Sequence, residues 1–187
     1  VLRVAGIVNG TTNYILSEMN NTGADYAEAL ADASALGYAE ADPTADVGGH
    51  DAAAKAAILA GLAFHTRVTI DDVHCEGITE VSAHDVAAAR EMGFVIKLLA
   101  VAELSDDERG VVVRVHPAMV PRTHPLAGVR GGATQVQGTI NGFGERWRTE
   151  TPNAGDADFA AAVAGWRQTH GVSEVQAMLF DREALVP

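Results

Sequence analysis

Two apolar runs, "FVIKLLAVAEL" (94–104) and "GVVVRVHPAMV" (110–120), are separated only by a short polar stretch beginning at Ser105. Both are rich in Val, Leu and Ile. A connection this short between two such runs joins antiparallel neighbours. The pair therefore predicts a long hairpin, and a hairpin of that length must sit inside a sheet. Shorter runs supply further strands: "VLRVAGIV" (1–8), part of "RVTIDDVHCEGI" (67–78) and "ATQVQGTI" (133–140). The Pro-rich "VPRTHPLAGV" (120–129) reads as a connection.

The first third of the chain has the helical period instead. In "NGTTNYILSEMNNTG" the apolar Tyr14, Ile15 and Met19 share one face, and the Asn-Asn-Thr-Gly cluster ends the segment. Asp25 and Glu28 have the spacing of a reciprocal helix cap. Tyr26, Leu30, Ala33 and Leu36 form the expected buried stripe of that helix, and Gly37 closes it. "HDAAAKAAILAGLAFHT" (50–66) is an Ala-rich helix, whose small side chains predict close packing. "SAHDVAAAREMG" (82–93) is a further helix with Ser82 as cap and Asp85 at its third position. Helices gathered early and strands late predict an α+β fold: a mixed β-sheet layered with α-helices on one face, the other face free for pairing. One domain is expected over 1–140. Residues 141–187 change character: "NGFGERWRTETPNAGDADF" is rich in turn formers, "FAAAVAGWRQTHG" reads as a helix, and "SEVQAMLFDREALVP" as a strand or helix.

Charge narrows the function. The net charge is −12 with a pI near 4.8. A phosphate-backbone partner needs clustered Lys and Arg, so nucleic acid is not expected. No 18-residue apolar run is present, and no membrane span is expected. The single cysteine, Cys75, rules out an intrachain disulfide or a multi-cysteine metal site and fits a reducing, cytoplasmic setting. Only Lys55 and Lys97 are lysines, against 11 arginines. Lysine can give up a proton in a protein and arginine cannot, so each lysine asks for a reason.

One lysine closes the segment "GYAEADPTADVGGHDAAAK" (37–55), which carries Glu40, Asp42, Asp46 and Asp51. Asp51 and Lys55 stand four residues apart on one helix face, which by itself describes a surface ion pair. Ala and Leu surround them, however, so this helix is expected to be buried and the amine shielded from water. Carboxylates suit a substrate ammonium. A lysine exchanges a proton with a substrate hydroxyl or carbonyl when burial brings its pKa towards working pH, and neighbouring acids oppose that shift. A divalent-metal site is the competing reading of the same acids, although their spacing is not an EF-hand and no metal is assigned. "NGTTNY" (9–14) places Gly and hydroxyls at a helix start: an anion cradle on one reading, a plain cap on the other. Cys75 reads as a structural thiol more readily than a nucleophile. Lys97, within an apolar strand, is expected to bury its stem and carry its head to the sheet end.

The segments "GIVNGTTNYIL" (6–16), "ALGYAEADPTADVGGHDAAAKAAILA" (35–60), "CEGI" (75–78), "MGFVIKLLA" (92–100) and "VHPAMVPRTHPLAGV" (115–129) together resemble the catalytic, substrate-binding domain of homoserine dehydrogenase, in order, over about residues 4 to 130. The resemblance implies interconversion of L-homoserine and L-aspartate 4-semialdehyde with NADP or NAD, in threonine and methionine biosynthesis, by a homodimer. It implies Lys55 as the proton carrier, with Asp51 and Asp46 holding the substrate and orienting the lysine. Glu40 would receive the substrate ammonium, and Gly10, Thr11 and Tyr38 would line the pocket. The family's preceding dinucleotide-binding domain is expected to lie outside this chain. "NGFGERWRTETPNAGDADFAAAV" stands where the family has a glycine-rich stretch and a "PTAS" helix. Little activity is therefore expected of this chain alone. A non-catalytic amino-acid-binding or dimerisation domain of the same descent remains open, as does an acylating semialdehyde dehydrogenase using Cys75.

Overall fold

The structure, a computed structural model, describes residues 1–105, 110–139 and 146–150, with Thr139 and 146–150 described by backbone alone. The hairpin is its centre. Strands β3 (Phe94–Leu104) and β4 (Val111–Pro121) pair antiparallel along their whole length, from Phe94↔Pro121 to Leu104↔Val111. Strand β1 (Arg3–Ile7) runs antiparallel to β3 and, on its other side, to β5 (Gln135–Thr139). Strand β2 (His74–Cys75) adds to β4 in parallel, and β6 (Arg146–Glu150) adds to β5. The sheet has six strands in the order β2-β4-β3-β1-β5-β6 and is mixed, as the fold class required.

Helices α1 (Gly10–Thr22), α2 (Tyr26–Ala35), α3 (Thr44–Val47), α4 (His50–Phe64) and α5 (Ala83–Glu91) complete the described elements. Asp25 and Ser82 cap α2 and α5 reciprocally with Glu28 and Asp85, as their spacing predicted. Alternation along β3 sorts the core. Ile96, Leu98, Ala100 and Ala102 pack with the helices, whereas Val95, Leu99 and Val101 join Ile7, Val120, Leu126 and Val129 on the opposite face. Helix α4 lays Ala52, Ala53, Ala56, Ala57, Ala60 and Ala63 inward, and these small side chains let its backbone approach β3 and β4 closely.

Several expectations need correction. The opposite sheet face is not wholly free: the 3-10 turn Pro125–Gly128 places Leu126 on it, 1% exposed. In α2 the fully buried residues are Ala29 and Ala33, and Leu36 is 65% exposed, because the helix ends there and Gly37 turns the chain away at φ 79°. The run 67–78 holds a three-residue 3-10 turn (Ile70–Asp72) and only two strand residues. The acidic segment is not all loop, since α3 interrupts it. Residues 146–150 form a strand within the stretch read as turns. The helix and final element expected beyond them lie outside the described residues. Among the described residues no helix is long and apolar enough to cross a membrane.

Candidate active site

Strand β1 delivers the chain to Asn9, the N-cap of α1, and α4 brings Asp51 and Lys55 alongside. Asn9 is 5% exposed, and every polar atom of its amide is used. Its oxygen accepts from the Thr12 N–H at 2.8 Å and from Thr12 Oγ1 at 2.9 Å. Its nitrogen donates to Asp46 Oδ1 at 2.7 Å and to Asp51 Oδ2 at 2.8 Å. Asp51 Oδ2 also accepts from Lys55 Nζ at 2.9 Å, and Lys55 donates a second bond to the Val8 carbonyl at 3.2 Å. One buried amide at the start of α1 thus ties two carboxylates and a lysine, from α3 and α4, into a single polar group.

A second set meets at the start of α1. Thr11 Oγ1 donates to the Tyr38 carbonyl at 2.7 Å, and the Tyr38 ring stacks on Tyr14 with centroids 4.4 Å apart. Gly10 and Gly132 are both needed as glycines. A Cβ on Gly10 would lie 2.6 Å from the Gly132 carbonyl oxygen, and a Cβ on Gly132 would lie 2.6 Å from the Tyr38 ring. Gly10, Thr11 and Tyr38 therefore lie together beside the Asn9 network. Glu40 is exposed and, among the described residues, makes no hydrogen bond or ion pair. It stands free of the network rather than within it.

Two sequence expectations fail here. Lys55 is not shielded: its side chain is 50% exposed and that of Asp51 32% exposed. The Ala-rich character of α4 belongs to its inner face, and Ala54, Lys55, Ile58 and Leu62 stand on the outer one, with Ile58 56% exposed. Lys97 is the buried lysine, 3% exposed, and its head as well as its stem is enclosed, held by Asn13, Ser17 and Val129. Asn9 is a residue that sequence reasoning missed. Its cap role was legible in "NGTTNY", but the two acids it joins lie 37 and 42 residues further on.

The start of α1 is a capped end rather than an anion cradle. Asn9 occupies the Thr12 N–H and Gly10 is closed off by Gly132. The Thr12 N–H is therefore not open to an anion. Cys75 donates to the Gly48 carbonyl at 3.4 Å, and burial pushes its thiol up, away from an activated thiolate. Among the described residues no group of three or more His, Cys, Asp or Glu could hold a metal ion.

A mixed sheet layered with helices, carrying a lysine ion-paired to an aspartate that shares the Asn9 amide with a second aspartate, defines an α+β domain. A family model described as homoserine dehydrogenase matches residues 1–165, and the chain belongs to that family. The match runs past residue 130 and into the segment after 141 that the sequence sets apart. Homoserine dehydrogenase of Mycobacterium tuberculosis is 60% identical over 168 residues, 88% of this chain and 38% of that protein. The Corynebacterium glutamicum enzyme is 54% identical over 165 residues, covering 87% and 37% respectively. The crystal structure of a homoserine dehydrogenase from Thiobacillus denitrificans superposes with a TM-score of 0.78 at 34% identity, over 99% of this chain and 44% of that one. A Staphylococcus aureus homoserine dehydrogenase structure at pH 7.5 gives a TM-score of 0.78 at 32% identity, over 91% and 42%. This chain thus spans well under half the length of those relatives.

Proposed function

We propose that this chain is the substrate-binding part of a homoserine dehydrogenase, holding L-homoserine or L-aspartate 4-semialdehyde and supplying the proton that the reaction moves. The observation that carries the reading is the network in which Asn9 joins Asp46 and Asp51 and Asp51 holds Lys55. An ammonium has three N–H donors. Lys55 uses two, on Asp51 and Val8. The third is left for a substrate oxygen. In the reducing direction that N–H protonates the carbonyl oxygen of the semialdehyde as it becomes an alkoxide, and in the oxidising direction Lys55 receives the hydroxyl proton. Glu40, unpaired and exposed, is the carboxylate left to take the substrate ammonium. Asp46 and Asp51 set the lysine and the polar rim, and Gly10, Thr11 and Tyr38 form the wall.

NADP or NAD supplies hydride chemistry when bound. The described residues account for substrate and proton. A homodimer in the cytoplasm, working in threonine and methionine biosynthesis, completes the proposal. Its support is the family relationship. We also propose the division into 1–140 and 141–187.

A second reading is favoured by the half-exposed Lys55: an amino-acid-binding domain without catalysis. Calorimetry with L-homoserine on the 187-residue chain, and NADP⁺-dependent turnover of the chain joined to a dinucleotide-binding domain of the family, separate the two. Binding that Glu40→Gln weakens about tenfold or more, as loss of a charge-assisted hydrogen bond requires, supports the site in both readings. Turnover that Lys55→Met abolishes while homoserine still binds selects the enzyme. Undetectable homoserine binding by the folded chain would sink both.

A further inference from the structure

Lys97 is 3% exposed and spends its whole ammonium inside the fold. Its three N–H bonds go to Asn13 Oδ1 at 2.7 Å, Ser17 Oγ at 3.3 Å and the Val129 carbonyl at 2.6 Å. No ion pair among the described residues includes it. Burying an ammonium without a carboxylate is costly, so an apolar side chain would serve better if packing were all that was needed. What the ammonium does here is set the direction of an amide. It can only donate, so the Asn13 oxygen faces Lys97 and the Asn13 nitrogen faces away. Beside a hydroxyl, which both donates and accepts, that amide could turn over; beside an ammonium it cannot.

The nitrogen meets a loop. Asn13 Nδ2 donates to the carbonyls of Gly131 at 2.9 Å and Ala133 at 3.0 Å, and reaches that of Val129 at 3.4 Å. Three alternate carbonyls of residues 129–133 thus turn inward onto one amide and one ammonium. The loop contains Gly131, at φ 59°, and Gly132, whose backbones are free to take other paths. The buried donors select this one. Along it, the Gly132 carbonyl oxygen closes on Gly10, and Gly132 packs at the Cδ1 and Cε1 atoms of the Tyr38 ring. Tyr14 stacks on that same ring. Tyr38 is therefore held by α1 and by a loop that is itself held by Lys97 and Asn13.

We propose that Lys97 is a positioning residue for the substrate site: through the Asn13 amide it holds loop 129–133 against Gly10 and Tyr38, and so fixes the wall against which the amino-acid substrate binds. It acts at one remove, since all its donors are spent. The role rests on Gly10, Thr11 and Tyr38 being the wall of the homoserine site.

Calorimetry with L-homoserine, amide NMR and urea denaturation on the 187-residue chain test this. Asn13→Asp keeps the acceptor for Lys97 and loses the donor to Gly131 and Ala133. Homoserine affinity should fall about tenfold, with amide shifts moving at Gly10, Tyr38 and Gly132. Lys97→Met frees the amide to turn over and should weaken homoserine by about as much, whichever way its urea midpoint moves. Val86→Ala truncates a core residue of α5, 4% exposed, and should lower the urea midpoint while leaving affinity unchanged. Should Lys97→Met not fold, Asn13→Asp decides alone. Unchanged affinity in Asn13→Asp or in folded Lys97→Met would overturn the positioning role and leave the substrate site standing. A loss in Val86→Ala as large as in Asn13→Asp would overturn it too, since stability alone would then account for both. Undetectable binding by the folded wild type would remove the substrate reading, and this role with it.

Discussion

Asn9 gives its oxygen to Thr12 and its nitrogen to Asp46 and Asp51, so one truncation removes a helix cap and the donor shared by two acids. Cap loss alone costs about 1 kcal/mol. Two part-buried carboxylates left facing each other add to it, and Asn9→Ala should lower stability by about 2–3 kcal/mol in urea denaturation. Asn9→Asp separates the two roles. It keeps a cap acceptor but places a third carboxylate against the pair, so it should impair homoserine binding more than its stability loss predicts. The same residues show how far a sequence can be read at this scale. Asp51 and Lys55, four apart on a helix, are legible because helix geometry alone makes them neighbours. Asn9 is legible only as a cap, since its link to the acids is made by the packing of α1 against α4. Lys55, expected to be shielded, is half-exposed, whereas Lys97, expected to bury its stem, buries its head as well. Lys55 sits on the outer face of α4. Lys97 lies beyond the last β1 residue paired to β3, Gly6 opposite Ala100, where Asn13 and Ser17 of α1 reach its head.

Among the elements, the turn before α4 aims Asp51, and Gly77 controls it. A Cβ on Gly77 would lie 2.3 Å from the Val47 carbonyl oxygen and 2.7 Å from Gly48 Cα, both backbone atoms that cannot swing aside. The neighbouring Ile78 N–H donates to that Val47 carbonyl at 2.8 Å and locks the segments together. Gly77→Ala should therefore destabilise the chain by about 2–3 kcal/mol and weaken homoserine binding, read from the urea midpoint and calorimetry. Strand β5 carries an opposite opportunity. Gln135 is 1% exposed and neither polar atom of its amide has a hydrogen-bond partner. Replacing it with the similarly sized Leu removes two desolvated groups, and Gln135→Leu should raise stability by about 1–3 kcal/mol in the same assay. The strand itself was legible in "ATQVQGTI". Its alternation does not reveal that the glutamines face inward, because polar residues at every second position normally mark the solvent face.

At the scale of the whole molecule, the long hairpin and the early helices were enough to give a mixed sheet with one helical layer, because strand and helix periods differ and every described helix carries its own stop or cap signal. Less legible was the second core on the far face, built where Leu126 and Val129 fold back over β3, since a Pro-rich connection discloses no direction. That fold-back encloses Lys97, and enclosure makes a pH signature for the entire fold. The Lys97 ammonium, ordinarily near 10.5, is pushed down to about 8, by burial first and Arg130 second. Below about pH 8 the folded and unfolded chains both hold the proton, and the fold bears the full cost of burying the charge. Between about pH 8 and pH 10 the folded chain releases it while the unfolded chain still keeps it, so stability rises with pH. The gain across that window is about 2 kcal/mol. Cys75, Tyr14 and Tyr26 oppose the gain, because burial raises each above its ordinary value and the unfolded chain therefore ionises them first as pH rises. General repulsion also opposes it in a chain of net charge −12, since it grows as protons leave. Lys97→Met separates the gain from these opposing effects: it retains them and lacks the titrating amine. Urea midpoints measured from about pH 7 to pH 10 should climb for the wild type relative to Lys97→Met, and parallel curves would show that the amine is not held in the enclosed, charged state the structure assigns to it.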